Sequence, residues 1–134
     1  MRLRPIIGWA VFFFLAAIVA QALPSPRGTF YFLKGKYCFT LRDYQAASVA
    51  YRESVNSDPN FARGYVELGS AYYALKNYSE AEQAFKTAMS IEEDSCASCG
   101  LGMVYRVQGR RYEAEAALGR SIQLNPRDTC PMTN

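Results

Sequence analysis

A self-similar period constrains this chain more than any other feature. The segment YVELGSAYYALKNYSEAEQAFKTAMSI at 65–91 aligns with CGLGMVYRVQGRRYEAEAALGRSIQLNP at 99–126. Leu68-Gly69 falls on Leu101-Gly102, Tyr72 on Tyr105, Ala81 on Ala114 and Ile91 on Leu124, a shift of 33. Going backwards, Tyr31 falls under Tyr65, Gly35 under Gly69, Tyr44 under Tyr78, Ala47 under Ala81 and Tyr51 under Phe85, a shift of 34. A chain with such a period folds as stacked copies of one unit, each of which buries its apolar face only against its neighbours.

The unit is a helical hairpin. Each copy holds two apolar-periodic stretches of about 13 residues separated by a polar turn. The turns fall at LRD (41–43), KN (76–77) and QGRR (108–111). Gly35, Gly69 and Gly102 lie inside the first helices, where glycine costs about 1 kcal/mol relative to alanine. Its recurrence at one phase implies close helix approach, with Ala47, Ala81 and Ala114 facing the same crossing. Pro59 and Pro126 end the second helices, because proline cannot continue them.

These positions resemble the tetratricopeptide repeat family. The middle copy carries the pattern most fully, in Tyr65, Leu68, Gly69, Tyr72, Ala81, Phe85 and Ala88. The resemblance implies an all-α fold, a right-handed superhelix of three helix-turn-helix hairpins at 28–61, 62–94 and 95–128, with a tail at 129–134; the apolar run ahead of it adds one hydrophobic helix at the N-terminus. The copies also depart from the family pattern. Lys34 stands where leucine is usual, Glu93 replaces proline, and Ser98 replaces the first large residue of the third copy.

Residues 1–27 read as a membrane anchor. The run Ile6 to Leu23 is 18 residues without charge, and it includes Trp9, Phe12, Phe13, Phe14, Leu15 and Ile18. As a helix it spans roughly 27 Å, close to the hydrocarbon core of a bilayer. Arg2 and Arg4 precede it, which by the positive-inside rule puts the N-terminus in the cytoplasm and the repeats on the exported, periplasmic or extracytoplasmic side. The competing expectation is a signal peptide cut after Ala20-Gln21-Ala22, which leaves a secreted or periplasmic protein.

Charge and composition narrow the chemistry. Setting aside Arg2 and Arg4, 13 basic residues face 12 acidic ones. A nucleic-acid binder needs a basic stripe to displace counterions, and none is present in the sequence. The absence of histidine removes the commonest general base and zinc ligand. No residue set supplies base, nucleophile and oxyanion donors, so the expectation is a binding protein rather than an enzyme, with no cofactor and no metal. The four cysteines need a reading of their own. Cys38 shares the phase of Tyr72 and Tyr105 and reads as a small buried hydrophobe. Cys96, Cys99 and Cys130 are candidates for a disulfide, as a Cys96–Cys99 or a Cys96–Cys130 bridge, with unpaired thiols as the alternative.

In the resembling family the first helix of each copy builds a concave face that binds an extended peptide or a helix. Carried over position by position, that face is Phe32, Lys36, Phe39 and Thr40, then Arg63, Val66, Ser70 and Tyr73, then Cys99, Met103 and Arg106. The set is aromatic and apolar with three cations, and it implies a partner segment with apolar anchors and acidic flanks. The lysines with which some members clamp a C-terminal carboxylate are missing, since Phe32 and Val66 occupy their places. Solenoids usually close with a polar helix, and here only RDTCPMTN follows. An open outer face with Val104, Leu118 and Ile122, and a first copy that leans on the membrane or on another subunit through Phe30, Tyr31 and Phe32, therefore predict a docked or homo-oligomeric protein. The functional expectation is a membrane-anchored scaffold or adaptor for a membrane-associated complex. Its alternatives are an accessory subunit of a larger membrane complex, with the N-terminal helix packed on other transmembrane helices, and an exported thiol-redox protein using Cys96 and Cys99.

Overall fold

The computed structural model describes residues 26–127. Six helices follow one another: α1 Pro26–Thr40, α2 Tyr44–Ser57, α3 Ala62–Ala74, α4 Tyr78–Ile91, α5 Ser95–Val107 and α6 Arg111–Leu124. They pair as α1·α2, α3·α4 and α5·α6, and each hairpin stacks on the next through α2·α3 and α4·α5. The apolar run at 6–23 lies outside the described residues, and so does the tail containing Cys130. Among the described residues no helix is long and apolar enough to cross a membrane.

The three turns are built alike. Arg42, Lys76 and Gly109 all have positive φ, at 61°, 61° and 76°. The following amides of Asp43, Asn77 and Arg110 donate back to the carbonyls of Cys38, Tyr72 and Tyr105 at 3.0, 2.9 and 2.9 Å. The amides of Arg42, Lys76 and Gly109 donate to Phe39, Tyr73 and Arg106 at 3.0, 2.9 and 3.2 Å. This paired pattern is the Schellman helix stop, which satisfies carbonyls the helix leaves open. Asp43 then caps α2 through the Ala46 amide, and Asp94 caps α5 through the Ala97 amide at 2.8 Å.

Inside each hairpin the helices approach over a glycine. A Cβ on Gly35 would lie 2.6 Å from the Tyr51 ring, one on Gly69 2.8 Å from the Phe85 ring, and one on Gly102 2.6 Å from Leu118. Close approach is as expected, but the group seated on the glycine is the bulky residue one turn after Ala47, Ala81 or Ala114. Phe85 is also pressed by the next hairpin, where a Cβ on Gly100 would come within 2.4 Å of it.

Two apolar clusters join three hairpins. The first gathers Ala47, Tyr51, Val55, Leu68, Ala71 and Ala84; the second gathers Ala81, Phe85, Leu101, Val104, Tyr105 and Ala114. Tyr72 packs against both. Cys38 sits against the first cluster half-buried rather than fully buried. A buried serine fastens the outer two hairpins. Ser54 Oγ donates to the Gly28 carbonyl at 2.8 Å, and Ser121 Oγ donates to the Ser95 carbonyl at 2.9 Å. In the middle copy that place holds the buried Ala88.

The outer faces differ from expectation. Val104 is fully buried within the second cluster, and Leu118 packs over Gly102. Of the three residues expected on the open end, only Ile122 is largely exposed. On the other end Phe30 is exposed, Tyr31 stacks edge-on against it at 5.5 Å, and Phe32 turns inward.

Candidate partner-binding groove

The first helices α1, α3 and α5 carry the predicted groove residues. On α1, Phe32 meets Phe61 edge-on at 5.0 Å between ring centroids and Tyr51 at 5.9 Å. The ammonium of Lys36 lies 5.9 Å from the Phe32 ring centroid, a cation held over an aromatic face. Phe39 packs edge-on against Tyr44 at 5.1 Å. Thr40 spends its hydroxyl on the Tyr37 and Lys36 carbonyls, at 2.7 and 3.0 Å, and so finishes the helix. On α3, Val66 and Tyr73 are half-buried against the second cluster, and Tyr73 meets Tyr78 at 5.6 Å. Ser70 Oγ donates to the Val66 carbonyl at 3.0 Å. Arg63 is exposed beside them.

The third hairpin breaks the series. Cys99 and Met103 are only 2% and 4% exposed, so they do not line an open surface. Arg106 alone of that copy's set is exposed. The cause is visible in α5, where residues 97–105 are buried without interruption. A helix that is apolar or small on all sides is buried on all sides. ASCGLGMVY carries that signal in the sequence, but the family positions alone pass over it. Of the predicted groove residues, Phe32, Phe39, Val66 and Tyr73 are thus half-buried, and the cations Lys36, Arg63 and Arg106 are exposed.

The cysteines do not make a C-x-x-C pair. Cys99 is disulfide-bonded, whereas Cys96 is exposed and remains a thiol, as does Cys38. Both predicted bridges used Cys96, and neither is formed. Cys96 sits at the outward start of α5, while Cys99, one turn on, is turned into the interior.

A charged cluster clasps the second and third hairpins at their turn side. Arg110 donates to Glu82 of α4 at 3.0 Å and to Glu113 of α6 at 2.9 Å, and its guanidinium stacks 4.2 Å from the Tyr105 ring centroid. Lys86 adds a bond to Glu82 at 2.6 Å. Burial pushes the Glu82 carboxyl up, but hydrogen bonds from Lys86 and Arg110 outweigh it and hold the group below its ordinary value. The Arg110 hydrogen bond holds Glu113 low as well. Between the same hairpins, Arg120 pairs with Glu93, the residue in the family's proline place. Tyr51 ionises far less readily than an ordinary tyrosine because it is buried, and Glu67 and Cys38 add to the effect. Sequence reading missed this clasp, because nothing in the repeat pattern marks Glu82 or Arg110. A shallow hollow of about 350 Å³ between α3 and α4, floored by Tyr65, Leu68 and Tyr72, was missed too.

Hairpins of this geometry define a class of interaction modules. Tetratricopeptide-repeat models match residues 28–61 and 62–95, two adjoining stretches that together cover half of the chain. The chain belongs to the tetratricopeptide repeat family and is built as a protein–protein interaction scaffold. It is 29% identical over 98 residues to anaphase-promoting complex subunit 3 of Schizosaccharomyces pombe, covering 72% of this chain and 15% of that protein. It is 33% identical over 84 residues to heat shock protein STI1 of Saccharomyces cerevisiae, covering 61% of this chain and 14% of that one. The chain thus spans a small fraction of the length of both relatives. Among solved structures, the Arabidopsis OM64 TPR domain superposes with a TM-score of 0.76 at 22% identity, over 78% of this chain and 87% of that one. The first TPR of Spaghetti (RPAP3), bound to the HSP90 peptide SRMEEVD, superposes with a TM-score of 0.75 at 23% identity, over 78% and 83%.

Proposed function

We propose that this chain is a membrane-anchored scaffold whose groove holds an extended or helical protein segment with apolar anchors and acidic flanks. The observation that carries this reading is the groove's make-up. Lys36, Arg63 and Arg106 are exposed, and half-buried Phe32, Phe39, Val66 and Tyr73 lie among them. Glu67, the one carboxylate of α3, lies near enough to Tyr51 to act on its ionisation. The similar fold of the first TPR of Spaghetti (RPAP3), bound to the HSP90 peptide SRMEEVD, supports this reading. With Phe32 and Val66 at the clamp places, the acidic flanks are side-chain acids rather than a chain terminus.

The anchor is the run at 6–23, with the N-terminus cytoplasmic and the repeats on the exported side. The disulfide at Cys99 supports that side, since such bonds persist in oxidising compartments. The partner is then a subunit of a membrane-associated complex, and the chain serves its assembly or organisation. Capture from gently solubilised membranes tests the proposal. The wild-type chain is expected to bring down stoichiometric partners, and the triple variant Arg63→Ala, Tyr73→Ala, Arg106→Ala is expected to lose them with unchanged helicity. Undiminished capture would overturn the groove. An intact mass lacking residues 1–22 would replace the anchor by a cleaved signal.

A further inference from the structure

The outward side of α1 is an apolar stripe that the other described helices leave exposed. Phe30, Leu33 and Tyr37 on the helix, and Leu41 just past its end, are 63%, 60%, 66% and 64% exposed. At about 100° per residue they fall within an arc of roughly 80°. Gly28 and Gly35, which face the core, lie on the opposite side and are buried. Four large apolar groups in one exposed row are more than scattered surface residues.

The charges on the stripe's own helix all have one sign. From Pro26 to Arg42 the chain has Arg27, Lys34, Lys36 and Arg42 and no acidic residue. By the same helical geometry, Arg27 and Lys34 flank one side of the stripe and Lys36 the other. A second copy meeting this face about a two-fold axis would set these cations against one another, which is unfavourable. An anionic lipid surface meets both features at once. The rings and leucines enter the headgroup boundary, and the long basic side chains reach outward to the phosphates. The apolar run at 6–23 ends three residues before α1 begins, so α1 starts where a membrane segment would leave the bilayer.

We infer that α1 lies along an anionic membrane surface through Phe30, Leu33, Tyr37 and Leu41, so that the first hairpin rests on the bilayer and the groove opens to its side. The inference builds on the membrane reading of residues 6–23 but makes a separate contact. The full chain has one tryptophan, Trp9. In a Trp9→Phe background, Tyr37→Trp reports the stripe, and Tyr112→Trp, at an 87% exposed position on α6, serves as control. Each full-length variant is reconstituted in phosphatidylcholine vesicles with and without phosphatidylglycerol, using brominated acyl chains as quencher. Tyr37→Trp is expected to be quenched several-fold more than Tyr112→Trp, with the larger gap in anionic vesicles. Equal quenching of the two overturns the inference. So does a blue-shifted Tyr37→Trp that bromine does not reach, because a protein surface then covers the stripe. The native Trp9 chain separates the two readings. Quenched Trp9 with an unquenched stripe sinks this inference alone, and unquenched Trp9 with a quenched stripe sinks the anchor alone.

Discussion

Lys76 holds a left-handed backbone conformation that L-residues adopt at a cost of about 1–2 kcal/mol. Its counterpart in the third hairpin is Gly109, for which that conformation is free of strain. Lys76 is exposed and its amide bond to Tyr73 needs no side chain. Lys76→Gly is therefore expected to raise stability by about 0.5–1 kcal/mol, after the greater freedom of glycine in the unfolded chain is counted. Thermal unfolding checks it, and Gly109→Ala should move the midpoint the other way. The turns themselves were legible in the sequence, because LRD, KN and QGRR interrupt two apolar periods. The left-handed residue was legible only in the third, where glycine announces it. Arginine and lysine give no such signal, and the stop geometry alone imposes it on Arg42 and Lys76.

At the scale of the element, Phe85 is the wedge of the middle hairpin. It is fully buried, with Gly69 on its own hairpin and Gly100 on the next both within contact of its ring. Phe85→Ala is expected to cost about 3–5 kcal/mol, the range for losing a buried ring and leaving a cavity. Gly100→Ala sets overpacking of about 1–3 kcal/mol against a helix-propensity gain of about 1 kcal/mol. It should destabilise in the Phe85 chain and turn neutral or stabilising when combined with Phe85→Leu. Urea unfolding of the four chains gives that coupling directly. The glycine phase predicted close approach at Gly35, Gly69 and Gly102, and the structure puts ring or leucine there. Gly100 escaped notice because it has no glycine counterpart: Leu33 and Glu67 stand at its place in the other copies. Likewise the family positions put Cys99 and Met103 on an open face, but the small and apolar run of α5 buries both.

Over the whole molecule, the hairpins are held by apolar clusters at each joint and by the Arg110 clasp at the second. Glu82 and Glu113 have carboxyls held below their ordinary values. A lowered carboxylate contributes stability above the unfolded group's pKa and loses it as pH falls through the folded one. The wild-type midpoint is thus expected to fall more steeply below the ordinary carboxylate range than that of Arg110→Ala, and the two chains should converge in acid. A constant gap across the pH series would remove the clasp from the stability of the stack.

Tyr72 belongs to both clusters, and that membership bears on how the protein can be divided. A cut after residue 61 takes away the ring that closes the first cluster. A cut after residue 94 leaves Tyr72 and Phe85 without the α5 they pack on. Neither seam yields a self-sufficient piece. Fragments made for binding studies would present raw aromatic faces and stick to one another, so the three hairpins are the smallest unit worth expressing.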